Sequence, residues 1–271
     1  MFGFLKKKQS DSANGKVGPG APIIVALLLE RDSFPKDAFL KEIAKSRIAG
    51  KTVSGISPGD QVVFGFDLGD EFLALALMPA PYPARDLEGP IATTWLWPRK
   101  QPIEAVRQHR SHLLITATLG SADPVRRRLI LTAVTALAAG KPGVTAVYWG
   151  DARLVIYPPL FIDMAKTGSP EAPPLYLWVD LRAFKNEDGT TGLSTTGLTS
   201  LGHMEIEIPR IDMAPGDLRE WVLNIMDYLL TNGPVLKDGQ TIGRSAEEHQ
   251  FRIRHSPSSF GHPGKVIRLE W

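Results

Sequence analysis

The chain has 271 residues, 43% of them hydrophobic and 22% charged, and its 31 basic and 29 acidic side chains leave a formal net charge of +2. That length can bury a core without a metal or a crosslink, and that composition excludes disorder over most of the chain. Interspersed charges argue against a nucleic-acid binder, and the absence of cysteine excludes disulfides, thiolate zinc sites and cysteine nucleophiles together.

A cysteine-free chain fits a reducing compartment. The longest apolar run, 23–29, falls far short of the roughly 20 residues of a membrane span. The first residues put their lysines after a short apolar tip, the reverse of a secretory signal. The expectation is a cytoplasmic protein with no stable membrane insertion. Residues 1–21 read as a disordered tail, because Lys6, Lys7 and Lys8 run into polar residues and glycines with nothing periodic to bury. Phe2, Phe4 and Leu5 ahead of those lysines also have the makings of a weak membrane-surface anchor.

Residues 23–30 form a β-branched and leucine-rich strand. Ser33 and Pro35 then open a helix over 36–47, with Phe39, Leu40, Ile43 and Ala44 on one face. After a link rich in Gly, Ser and Pro at 50–59, strands at 61–67 and 71–78 flank Gly69-Asp70, a dipeptide that closes two-residue hairpins. Prolines 79, 81 and 83 stop the second strand, and a short helix covers 84–92.

The same order then returns. A strand at 112–119 leads to Asp123, which caps a helix opened by Pro124 and ended by Gly140, with Val125, Leu129, Ala133, Val134 and Leu137 at helical spacing. Strands at 144–149 and 152–156 flank Gly150-Asp151, and Pro158-Pro159 lead into a helix at 160–166. The recurring Gly-Asp turn and the prolines beyond each hairpin point to a duplicated β-α-β-β-α domain over 22–170. The expected fold class is α+β: tandem β-α-β-β-α units, ferredoxin-like or related, with helices packed on antiparallel sheets, plus a C-terminal α+β module.

Residues 167–174, dense in Pro and Gly, mark a boundary, and 171–271 form the C-terminal α+β domain. Within it 175–184 reads as a strand, 192–202 as a loop or frayed strand, 203–208 as a half-buried strand and 217–230 as the most amphipathic helix of the chain. Strands at 250–254 and 265–271 close the module.

Several stretches carry a resemblance: Thr191-Gly192-Leu193, Gly202-His203-Met204-Glu205-Ile206-Glu207, Tyr228-Leu229-Leu230, and the run from Leu236 to Gly243. In these the chain resembles a bacterial family known as domain of unknown function 4261. Upstream, Ala76-Leu77-Met78-Pro79, Trp95-Leu96-Trp97-Pro98 and His109-Arg110-Ser111-His112 are similar to the stretch that precedes that domain in longer members. The resemblance implies no reaction and no catalytic residues; it implies only an association with toxin-immunity gene neighbourhoods.

Candidate chemistry is sparse. His203, Glu205 and Glu207 recur at period two, so on a strand they would share a face and could hold a divalent metal or serve as acid and base. The same alternation describes a strand that is apolar inside and charged outside. His109 and His112 stand three apart at the mouth of a strand, where a capping or surface role is the ordinary expectation. Four glycines and many threonines in 189–202 could cradle an anion with their amides, although turn chemistry accounts for them as well. Arg126, Arg127 and Arg128 read as the solvated side of their helix. Trp95 and Trp97, two apart beside Pro98, would share one face and form an aromatic binding surface. No nucleophile elbow, zinc-protease or phosphate-loop pattern occurs. These readings favour a non-catalytic protein-binding module of immunity or inhibitor type, with a protein partner and no cofactor; the alternative is a metal-dependent enzyme built on His203, Glu205 and Glu207.

Overall fold

The structure, a computed structural model, describes residues 23–60, 62–117, 123–243 and 250–270. The tail expected at 1–21, and the end of the strand expected at 112–119, lie outside the described residues. The first part of the chain runs through β1 (Ile24–Leu29), α1 (Lys36–Ile43), β2 (Arg47–Ile48), β3 (Lys51–Thr52), β4 (Ser54–Ser57), β5 (Val63–Leu68), β6 (Glu71–Met78), α2 (Ala84–Thr93), α3 (Glu104–Arg107), β7 (Ser111–Ala117), α4 (Pro124–Ala139), β8 (Val144–Trp149), β9 (Leu154–Ile156) and α5 (Pro158–Ala165). The second part adds α6 (Leu175–Trp178), β10 (Asp180–Lys185), β11 (Thr191–Thr196), β12 (Ile206–Ile211), α7 (Pro215–Asn232), β13 (Thr241–Ile242), β14 (Phe251–Pro257) and β15 (Lys265–Glu270).

The fold is α+β. Its first sheet has seven strands in the order β4-β5-β6-β7-β1-β8-β9, every pairing antiparallel. This order departs from tandem ferredoxin-like units. Three antiparallel steps, through β7 and β6, separate β1 from β5, so the two strands expected to flank the first helix run antiparallel and make no split βαβ unit. A split crossover does occur in the second half, where α4 joins the parallel strands β7 and β8, but the strand between them is β1. The two halves thus interleave in one sheet. Placing β1 inside the sheet, with both faces covered, explains its unbroken apolar run: Val25, Leu27 and Leu29 enter the main core, while Ala26 and Leu28 enter a smaller cluster under α2 and α3.

The second sheet runs β10-β11-β12-β15-β14-β13, and β12 pairs in parallel with β15. Helix α7 lays Leu218, Trp221, Val222, Ile225, Met226 and Leu229 toward the core, packing near β10 and β11. Residues 175–178, expected as strand, are the short helix α6; of residues 192–202, expected as loop or frayed strand, those up to Thr196 belong to the buried strand β11.

One hydrophobic core runs from Phe39 and Val134 through Trp178 to Ile206 and Trp221, so it crosses from one sheet to the other. Helix α4 is the hinge of this packing. The Trp178 indole donates to the Thr132 hydroxyl at 2.8 Å. Arg128, expected on a solvated face, is only 1% exposed and donates to Asp151 at 2.8 Å and to the Ser200 hydroxyl at 2.7 Å. A buried guanidinium needs such partners, and these reach it from both parts of the chain. No helix among the described residues is long and apolar enough to cross a membrane.

Candidate functional site

His203, Glu205 and Glu207 do not form a shared face. His203 precedes β12, half-buried, with its Nδ1 lacking a protein partner, and burial holds its imidazole below its ordinary pKa. Glu205 and Glu207 are 2% and 0% exposed, so neither is a solvated surface charge. The Glu205 carboxylate accepts from the Thr195 hydroxyl (2.7 Å), the Gly197 amide (2.9 Å), the Thr199 amide (3.0 Å) and the Thr199 hydroxyl (3.1 Å). The Gly and Thr amides that could have cradled a foreign anion therefore hold the protein's own carboxylate. Gly197 sits at φ +122, a conformation that an L side chain rarely adopts, and there its amide meets Glu205.

Glu207 anchors a different segment. It accepts from the Ser258 hydroxyl (2.5 Å) and the Ser259 amide (3.0 Å), and pairs with Arg268 at 3.4 Å. These bonds fold the loop between β14 and β15 back over the outer face of the second sheet. His262 in that loop shares a hydrogen bond of 3.1 Å with the Ser194 hydroxyl, and Phe260 packs edge-on against Phe184 at 5.3 Å. Gly192 lies beneath Phe184, where a Cβ would clash with the ring. The register sets Arg182, Ser194, Glu207 and Arg268 on neighbouring strands in one row. His203, Glu205 and Glu207 share no hydrogen-bond partner, and among the described residues no group of three His, Asp or Glu side chains is placed to hold a metal.

The refolded loop forms one wall of a groove of about 810 Å³ between the two sheets. Ser194 and Arg182 line it from the second sheet, and Asp151 and Arg153 from the turn between β8 and β9. None of these residues stood out in the sequence except Asp151, as a turn residue. The signal that was present is the run from Phe260 to Gly264, whose two glycines and one proline between strands announce a shaped loop.

Trp95 and Trp97 do not share a face, because 94–97 is not a strand. The Trp95 indole donates to buried Asp180 at 3.0 Å, and its ring meets Tyr176 edge-on at 5.2 Å with Arg219 over it. Trp97 turns to Tyr157 and donates to the Gln101 carbonyl. Burial pushes the Asp180 carboxyl up, against the pull of Arg182 and the Trp95 indole. His109 and His112 are buried and not surface residues. His109 Nε2 accepts from the Tyr82 amide at 2.8 Å, which leaves the proton on Nδ1 to be donated to the Val106 carbonyl, and His112 bonds the Ala80 carbonyl through Nδ1. Both imidazoles are held below their ordinary pKa by burial.

Residues 194–270 match the model of the family described as Domain of unknown function (DUF4261). Over that stretch the chain is similar to the DUF4261 family. No curated protein and no solved structure matched the chain. The DUF4261 stretch holds Ser194, Glu205, Glu207 and His262, hence the refolded loop and its anchors, while Arg153 and Arg182 of the groove and both candidate tryptophans lie upstream of it.

Proposed function

We propose that this chain is a non-catalytic protein-binding module that takes an extended segment of a partner protein on the outer half of its seven-stranded sheet. The observation that carries this reading is an apolar half-face that no other element covers among the described residues. Helices α2 and α3 cover β1, β8 and β9 on that side of the sheet. Over β5, β6 and β7 the same side presents Val63, Ala74, Ala76, Met78 and Leu114, with Ile24 of β1 at the margin, and pairing sets these residues on one face. Ile24, Val63 and Met78 are exposed large apolar side chains. The adjoining edge strand β4 is exposed along its whole length and pairs, among the described residues, with β5 alone.

An open edge offers unmet backbone donors and acceptors to an added strand, and an apolar face beside it offers side-chain pockets. An immunity- or inhibitor-type role asks for such a surface and for no reaction. The test compares the tagged full chain with the Val63→Glu, Met78→Glu double variant in crosslinking and affinity recovery from native lysate. Exposed substitutions of this kind change stability by about 0.5 kcal/mol or less, so both chains should melt alike. The reading requires a stoichiometric partner that the wild type retains and the double variant loses. Equal recovery by both chains, or self-association that alone accounts for the difference, would sink it.

A further inference from the structure

The groove between the sheets is a surface of another kind, and its lining charges are unbalanced. Asp151 is already engaged by buried Arg128 at 2.8 Å. Arg153 and Arg182 face the same space, and with them the His262 imidazole and the Ser194 and Thr196 hydroxyls. Arg182 grips Asp180 through Nε at 3.2 Å and Nη2 at 2.9 Å, yet its side chain stays 42% exposed. Arg153 is exposed, and burial pushes the nearby Tyr148 hydroxyl up to about 12 against the downward pull of the Arg153 charge. The Arg153 backbone sits at φ +53, a left-handed conformation shared by only one other non-glycine residue, Ala49, among those described. Such backbone is unfavourable for an L residue, and it recurs where a side chain has to be aimed. The apolar part of the lining is Phe184 and Phe260, the latter 45% exposed.

We infer that this groove binds a small organic anion, a carboxylate or phosphate monoester carried on a planar ring. Arg153, from the first sheet, and Arg182, from the second, take the anionic group, so the ligand bridges the two sheets. Guanidinium matches both acid classes through paired N–H donors, and it stays charged at any physiological pH. The ring lies against Phe184 and Phe260, and Ser194, with His262 behind it, supplies a neutral hydroxyl. A volume of about 810 Å³ suits a ligand of mononucleotide size or smaller.

Calorimetric titration of the full chain with benzoate and with adenosine monophosphate tests this, with benzamide and adenosine as uncharged counterparts. At least one of the two anions should saturate below about 10 mM, and its neutral counterpart should bind about tenfold more weakly or not at all. Arg153→Gly accepts the left-handed backbone, so its melting temperature should hold while affinity for the anion falls about tenfold. Arg182→Lys keeps a charge beside Asp180 but loses the planar fork, and it too should weaken the anion. Absence of saturation by both anions, equal binding of the neutral molecules, or unchanged affinity in both variants overturns the inference.

Discussion

A carboxylate removed from water needs donors of its own, and Glu205 receives them from three residues within ten positions of it. Truncation would strand those donors in the interior. Each buried group left unmet costs about 1–3 kcal/mol, so Glu205→Ala should lower the unfolding free energy by about 3 kcal/mol or more in urea titration. A loss below about 1 kcal/mol would mean that water replaces the carboxylate. The spacing of His203, Glu205 and Glu207 was plain in the sequence, but spacing carries no information about which groups come down on a strand from above. Thr195, Gly197 and Thr199 were legible as an anion cradle; that the anion is Glu205 depends on the 3-10 turn at Thr199–Leu201, which no periodicity announces.

Among the elements, β1, β6, α4 and α7 were readable because apolar runs, caps and a helical stripe each act locally. Strand β11 was not, since Thr191-Gly192-Leu193-Ser194-Thr195-Thr196 shows no apolar alternation and the burial of its outer face at Ser194 comes from the loop folded over it. Helix α6 misled for the opposite reason: Leu-Tyr-Leu-Trp alternates well enough for a strand, and a helix of a single turn has no period to betray it. Gly192 links the strand to the loop, because a Cβ there would meet Phe184, and Phe184 supports Phe260. Gly192→Ala should therefore cost about 1–3 kcal/mol through overpacking and should speed amide exchange in the loop around His262. Exchange unchanged in that loop would show that the serine contacts to Glu207 hold it without the aromatic pair.

At the scale of the whole molecule the sheet order was beyond the sequence, because the β1–β7 pairing is decided by contacts between residues almost ninety positions apart. The buried histidines have a molecule-wide consequence. His109, His112 and His203 bind protons more weakly folded than unfolded, so their share of stability is complete above their ordinary pKa of 6.5 and drains away as pH falls below it. Melting temperature should decline between about pH 6.5 and pH 5, and His109→Gln should flatten that decline. Asp180, pushed up, works in the opposite sense, so a flat wild-type profile would mean that it offsets the histidines. The DUF4261 match begins inside β11, one strand in from the edge of its sheet. A chain inheriting only that portion would receive a sheet with a raw flank, and it would have to recruit a neighbouring strand from its own new surroundings or from another molecule.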